Sequence, residues 1–335
     1  MHSKNLIFLI SQPRAGSTLL QRILAGHPEV HTTAEPWLML HPVYALREGG
    51  HEAEYAARTA LRGVQDFLST LETGESAYIE ALRQMAMHLY GAACREAGKA
   101  FFLDKTPRYY FIIPDLARIF PEAKFVILLR NPLSVLASIL DTWVQGDWTR
   151  LSRYRHDLID APRLLLEGME LLEDRVVVIH YETLVTEPRQ VVSSLCDQIG
   201  LEFYESMLEY GETPEPPGRH GDPTGVSRYS RPVTASVDRW LELGQAKQTR
   251  HLAEQYLSTL GSELLDKLGY EYASLETSLR AVPCSSLGTI VSWERALALD
   301  KTFWQKAHLL IVELLQQRRL VHSGKQFARL LTGRL

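Results

Sequence analysis

Cysteine is scarce in this chain of 335 residues: only Cys94, Cys196 and Cys284 occur, far apart and in no C-x-x-C or Cys/His spacing. That argues against a disulfide framework or a structural zinc site and suits a reducing compartment. Long hydrophobic runs are missing as well. The apolar stretches are short, such as residues 6–10 and 125–129, whereas a membrane-crossing helix needs about 20 apolar residues. The first run breaks off at Ser11-Gln12-Pro13-Arg14, too soon for a signal-peptide core. A cytoplasmic protein without a transmembrane segment is therefore expected. Surplus positive charge is also absent, with 36 Lys and Arg against 40 Asp and Glu and a net charge of −4. A surface that coats polyanions wants a cationic excess, so nucleic acid is not an expected partner. A local basic pocket for one small anion stays open. There is no internal repeat, no low-complexity segment and no metal-ligand cluster.

What is present is an ordinary globular composition, 45% hydrophobic and 23% charged. Four short apolar runs, at 6–10, 100–103, 125–129 and 176–179, each lead into a helical pattern: 18–25, 109–120, 132–140 and 187–199. Runs that are apolar on both faces and alternate with helices predict an α/β fold, a parallel sheet flanked by helices. Residues 52–98 read as helices over a sheet edge, where a substrate-side lid would fit. Between Gly211 and Pro232 lie five prolines and four glycines together with Arg219, Arg228 and Arg231, the composition of a long irregular loop. We expect one domain over 1–275 and a helical C-terminal extension over 276–335. The extension includes a helix over 301–319 whose apolar positions suit docking, a homo-oligomer contact or a cap on the core.

Ser11-Gln12-Pro13-Arg14-Ala15-Gly16-Ser17-Thr18 joins the first strand to the first helix. In such a turn, backbone N–H groups and the helix N-terminus hold a phosphate. Against the Walker A pattern GxxxxGK[ST], Gly16 and Thr18 match, Ser17 replaces the lysine, and the cation sits earlier, at Arg14. A nucleoside-triphosphate kinase uses that lysine at the β- and γ-phosphates, so its loss points to a different phosphate ester. A capped strand–helix turn is the plain alternative. A second arginine, Arg130, ends the run 125–129 and precedes Asn131-Pro132, with Ser138 two turns into the following helix. A fixed guanidinium fork and a hydroxyl suit a phosphate dianion.

These residues resemble the sulfotransferases that use 3′-phosphoadenylyl sulfate (PAPS), in a style similar to tyrosylprotein-type and bacterial members. Their 5′-phosphosulfate loop reads approximately P-[KR]-[SA]-G-[ST]-[ST], as in Pro13 to Thr18 here. Their 3′-phosphate motif has an arginine at a strand end and a serine eight residues later, as Arg130 and Ser138 stand. The resemblance implies a P-loop-like sheet with Arg14, Ala15, Gly16, Ser17 and Thr18 at the 5′-phosphosulfate and Arg130 and Ser138 at the 3′-phosphate. His180-Tyr181-Glu182-Thr183-Leu184 is similar to a strand end whose tyrosine contacts adenine, although core packing would explain Tyr181 equally. Ser227, Arg228 and Arg231 fall in a stretch that resembles the loop closing over the nucleotide, or they belong to a solvated basic loop. Leu19 stands where many cytosolic members carry a tryptophan that sandwiches adenine.

Sulfuryl transfer needs a general base and a cationic clamp on the departing oxygen, and its logic calls for no metal. The stretch His27-Pro28 to Glu35-Pro36 resembles one that leads to a glutamate base in tyrosylprotein-type members, which nominates Glu35; His31 and His41 are the alternatives. Asp104-Lys105-Thr106-Pro107 ends a strand at the side where parallel sheets bind ligands. It resembles an element whose lysine stabilises the moving group, so Arg14 and Lys105 are the expected clamp; a solvated strand-end lysine is the other reading. The acceptor is left open among small molecule, glycan, lipid and peptide. The competing functions are a small-molecule P-loop kinase and a non-catalytic nucleotide-binding interaction module.

Overall fold

The computed structural model describes residues 2–211, 214–218, 229–285 and 290–297. The predicted helix over 301–319 lies outside them, as do Ser227 and Arg228.

The chain runs β1 (Leu6–Ser11), α1 (Ser17–Ala25), β2 (Val30–Thr32), α2 (Leu40–Tyr44), α3 (Ala57–Ser69), α4 (Glu75–Ala97) and β3 (Phe101–Lys105). After a 3-10 stretch at Pro107–Ile112 come α5 (Ile113–Ile119), β4 (Lys124–Leu129), α6 (Pro132–Ile139), α7 (Ala161–Leu172) and β5 (Val176–His180). Then follow α8 (Tyr181–Thr186), α9 (Pro188–Ile199), α10 (Lys247–Leu260), α11 (Ser262–Lys267), α12 (Tyr272–Ala281) and α13 (Trp293–Ala296). The five strands form one sheet in the order β2-β3-β1-β4-β5, every neighbouring pair parallel. Parallel strands need covered crossovers, and the helices supply them.

Strand alternation divides the core. Leu6, Phe8, Ile10, Phe102, Phe125 and Ile127 pack with Tyr90 of α4, Leu116 of α5 and Leu165 of α7. Ile7, Leu9, Leu103, Val126, Leu128 and Ile179 face α1, α8 and α9 through Leu20, Ile23, Leu184 and Leu195. All six residues of β1 are buried, so this central strand is apolar on both faces; each fully buried Leu, Ile or Phe contributes about 1.5–3 kcal/mol. In α1, Leu19, Leu20, Ile23 and Leu24 recur at helical spacing and form its buried stripe.

A third cluster gathers α6, α10, α11, α12 and α13, among them Leu136, Tyr256, Leu265, Leu279 and Trp293. Helix α12 runs across position 276, and Leu279, Trp293 and Leu297 are buried with the body. The described part of the tail is therefore packed on the core. The strand β2, with only Val30, His31 and Thr32, carries no apolar run; it exists because its backbone pairs along the edge of β3. No helix among the described residues is long and apolar enough to cross a membrane.

Candidate active site

The turn between β1 and α1 is shaped by two left-handed residues. Gly16, at φ +101°, caps α1, and a methyl group on its Cα would meet Tyr181 Cδ2 at 2.4 Å. Only glycine satisfies both demands. Arg14 has φ +72°, which L side chains adopt with strain, and its carbonyl accepts a hydrogen bond of 3.1 Å from Arg130 Nη1. The Gln12 side chain braces the turn by donating to the Asp157 carbonyl at 2.8 Å. Ala15 is buried with the α6 cluster, whereas Gly16, Ser17 and Thr18 line a cavity of about 1320 Å³.

Arg130 follows β4, and the next residue starts α6: Asn131 Oδ1 accepts from the Leu133 N–H at 2.9 Å, and Pro132 occupies the first turn. The Asn131 N–H donates to Glu182 at 2.8 Å, and Glu182 also accepts from Tyr270 at 3.0 Å. That pins the strand end. The Arg130 guanidinium lies on the Tyr181 ring, 4.2 Å from its centroid, and Nη2 donates to the Ser236 carbonyl at 3.0 Å. Its buried Nε has no hydrogen-bond partner among the described residues. Burial pushes the Arg130 pKa down, while Tyr181 and Glu182 pull it up. Tyr181 is itself buried, its hydroxyl 2.7 Å from Ser236 Oγ.

Ser138, in α6, joins the two arginine sites by accepting from Arg14 Nε at 3.0 Å. Thr142 accepts from Arg14 Nη2 at 3.3 Å, and the Trp143 ring lies 5.5 Å from the guanidinium carbon. Arg14, Arg130 and Ser138, far apart in sequence, thus share one cavity wall.

Glu35 lies on the wall of that same cavity. One of its carboxylate oxygens pairs with Lys105 Nζ at 3.1 Å and the other accepts from the Trp37 indole N–H at 3.1 Å. Its side chain is 19% exposed, that of Lys105 only 1%. Lys105 stands behind Glu35 and does not line the cavity itself. Beside them Arg108, on the cavity wall, makes a fork onto Asp157 at 2.9 and 2.7 Å. Gln21 of α1 donates to Thr32 Oγ1 and the Thr33 carbonyl at 2.8 and 2.7 Å, which sets the direction in which the chain leaves β2 towards Glu35.

Of the histidines weighed as bases, His31 packs edge-on against Phe102 on the opposite sheet face, and burial lowers its pKa. Neither His31 nor His41 lines the cavity. Arg231 is set apart too: exposed, paired with Glu209 and off the wall. None of residues 52–98 lines the cavity, and α4, the longest of the helices expected as a lid, packs instead into the core layer with Phe8 and Phe102. Sequence reasoning missed Thr142, Trp143, Ser134 and Ser236 on this wall. Ser134 and Thr142 each stand one helical turn from Ser138, and that spacing was the only signal. Among the described residues no group of three or more His, Cys, Asp or Glu could hold a metal ion.

A glycine turn on a helix N-terminus, two arginines and a carboxylate thus share one cavity wall of an α/β fold, a layout that suits an anionic ligand. The model of the sulfotransferase family matches residues 6–205, and the chain belongs to that family. It is 35% identical to the nodulation protein NoeE of Sinorhizobium fredii over 138 residues, 41% of this chain and 32% of that protein's length. It is 26% identical to protein-tyrosine sulfotransferase 2 of Gallus gallus over 273 residues, 79% of this chain and 69% of the relative. In fold it is similar to the sulfotransferase domain from the curacin biosynthetic pathway, with TM-score 0.53 and 23% identity over 79% of this chain and 97% of that one.

Proposed function

We propose that the chain transfers a sulfuryl group from PAPS to a hydroxyl or amine acceptor and releases 3′,5′-ADP. The observation that carries this reading is the convergence of Arg14, Arg130, Ser138 and Glu35 on one cavity. The residues fit the donor: a glycine turn open to a phosphate, and a buried guanidinium whose Nε has no partner among the described residues. A cavity of about 1320 Å³ also leaves room for an acceptor beside a nucleotide.

In this reading the amides of Gly16, Ser17 and Thr18, with Arg14, hold the 5′-phosphosulfate, while Arg130 and Ser138 take the 3′-phosphate; Ala15, expected with them, instead gives its N–H to the Gln12 carbonyl at 3.1 Å. Glu35 receives the acceptor's proton as the acceptor atom bonds to sulfur and the bond from sulfur to the bridging oxygen breaks. The electron pair leaves with that oxygen on the 5′-phosphate, where Arg14 meets the growing charge. Lys105 supports Glu35 as its ion-pair partner; to reach the departing oxygen, the role expected from sequence, its ammonium must first leave that carboxylate. Arg130 covers one face of the Tyr181 ring and Gly16 abuts its Cδ2–Cε2 edge, so adenine would meet Tyr181 only where those two leave it open. Arg231 must exchange Glu209 for the nucleotide if it is to close over it. The reading includes a reducing, cytoplasmic setting and an acceptor whose class the wall does not name.

The test is binding selectivity. Arg130→Ala is expected to weaken 3′,5′-ADP about 10- to 100-fold, the worth of charge-assisted bonds to one phosphate, and to leave 5′-AMP nearly untouched. Equal loss for both nucleotides overturns the assignment. Mass spectrometry for a gain of about 80 daltons (the mass of SO₃), over an acceptor library with PAPS, identifies the acceptor. Stabilisation by ATP in place of 3′,5′-ADP in a thermal-shift panel favours a kinase.

A further inference from the structure

Behind the Glu35 wall lies a charged group that the proposed chemistry leaves unused. Asp104 precedes Lys105 on β3, points to the opposite sheet face and is completely buried. Its carboxylate collects three hydroxyl donors: Tyr90 at 2.6 Å, Thr106 at 2.8 Å and Tyr109 at 3.1 Å. A carboxylate only accepts, so all three protons point inwards and each hydroxyl turns its lone pairs outwards. Two of those hydroxyls use them on one turn: Tyr109 accepts from the Met39 N–H at 3.0 Å, and Thr106 from the Trp37 N–H at 3.4 Å. That turn carries Trp37 at φ +55°, a left-handed conformation that its surroundings must impose, and its indole N–H reaches Glu35.

Resting on the reading of Glu35 as the base, we infer that Asp104 is a positioning residue: through the Thr106 and Tyr109 hydroxyls it sets the 37–39 turn, and through the Trp37 indole it aims the Glu35 carboxylate. The third hydroxyl supplies an internal control. Tyr90, from α4, meets the same carboxylate at the shortest distance and, among the described residues, reaches the turn only by way of the neighbouring Tyr109 hydroxyl. A purely structural Asp104 would make the three hydroxyls equivalent; a positioning Asp104 separates Thr106 and Tyr109 from Tyr90.

Burial raises the Asp104 pKa to about 6 against the opposing pull of its three hydroxyls and Lys105. The groups facing it are Tyr90 from α4, Tyr109 and Thr106 from the segment after β3, Lys105 on its own strand, and Phe8 across the β1 pairing. A proton on Asp104 turns one of those oxygens from donor to acceptor; at Thr106 or Tyr109 that redirects a hydroxyl that holds an amide of the turn.

The readout is the ¹H–¹⁵N signal of the Trp37 indole, identified by its loss in Trp37→Phe, which requires no acceptor and no turnover. Tyr109→Phe and Thr106→Val are expected to displace it, and Tyr90→Phe, one step further from the turn, to displace it least. In the wild type it titrates with a midpoint of about 6, and Asp104→Asn abolishes that titration. Affinity for 3′,5′-ADP stays within about threefold in all four variants, the scale of a substitution that leaves the nucleotide wall alone. The inference is overturned if Tyr90→Phe moves the signal as far as the other two, or if neither of them moves it. Where Asp104→Asn fails to fold, the three hydroxyl variants decide alone. A signal that behaves as expected in a chain that transfers no sulfuryl group sinks the PAPS reading and leaves the positioning role standing.

Discussion

The two halves of the cavity treat charge in opposite ways. On the flank built by β4 and α6, Arg130 spends its hydrogen bonds on neutral carbonyls, of Arg14 and Ser236, and on the face of Tyr181. On the flank built by β2 and β3, each charge is answered by its neighbours: Lys105 by Glu35, and Asp104 by three hydroxyls. Neutral partners position a cation without cancelling it, so Arg130 keeps its charge for a visiting anion. Mutual pairing does the reverse and keeps the second flank intact in the absence of ligand. On the proposed reading, one half binds and the other stays aimed.

The contrast is broken most severely at the ion pair. Glu35→Ala leaves Lys105 buried without a partner, and breaking a buried pair from one side costs about 3–5 kcal/mol, readable as a lower urea midpoint. Glu35→Gln keeps a hydrogen-bond acceptor and the fold but removes the proposed base, so sulfuryl transfer should fall about 10²- to 10⁴-fold while 3′,5′-ADP still binds. Retained turnover in Glu35→Gln would move the proton to another group. Next in size is Gly16→Ala, which clashes with Tyr181 and occupies a left-handed conformation. It should cost about 1–3 kcal/mol, measured by thermal unfolding, and Tyr181→Ala in the same chain should restore the part due to the clash.

Comparable in size to the Gly16 effect, but spread over a pH window, is the pH dependence of Asp104. Its pKa of about 6 in the folded state lies above the carboxylate's ordinary value, so the folded chain holds the proton more tightly than the unfolded one. The stability contributed by this group is therefore present below about pH 4 and is lost as pH rises through about 6. Against Asp104→Asn, the wild type should lose about 2–3 kcal/mol across that window, since one pKa unit is worth about 1.4 kcal/mol. A difference that is flat with pH would mean that the carboxyl keeps its proton, or its charge, throughout.

Much of the first half was legible in the sequence and little of the second. Arg14, Gly16, Arg130 and Ser138 sit at fixed spacings next to strands whose apolar runs announce them, because a helix N-terminus and a strand end place ligands by local geometry. The strands β1 and β4 were readable because burial on both faces leaves no polar alternation to confuse, and β3 and the half-buried edge strand β5 because their apolar runs are unbroken. The strand β2 was not, since an edge strand of Val30, His31 and Thr32 is defined by its partner and not by its own pattern. Glu35 and Lys105 were each nominated singly, yet nothing in a separation of 70 residues announces an ion pair. Asp104 passed as an ordinary strand residue, and its meaning comes from Tyr90 and Tyr109, which tertiary packing alone brings to it.

The strand order has an engineering consequence. Because β1 occupies the middle of the sheet, with β3 on one side and β4 on the other, the segments that carry Glu35, Pro107 and Arg108 and those that carry Arg130 and Ser138 hang from opposite flanks of a shared spine. A graft of that flank from another chain of the same architecture must match the register of β3 against β1 and also keep two ties to the rest of the cavity, Gln21 to the end of β2 and Arg108 to Asp157.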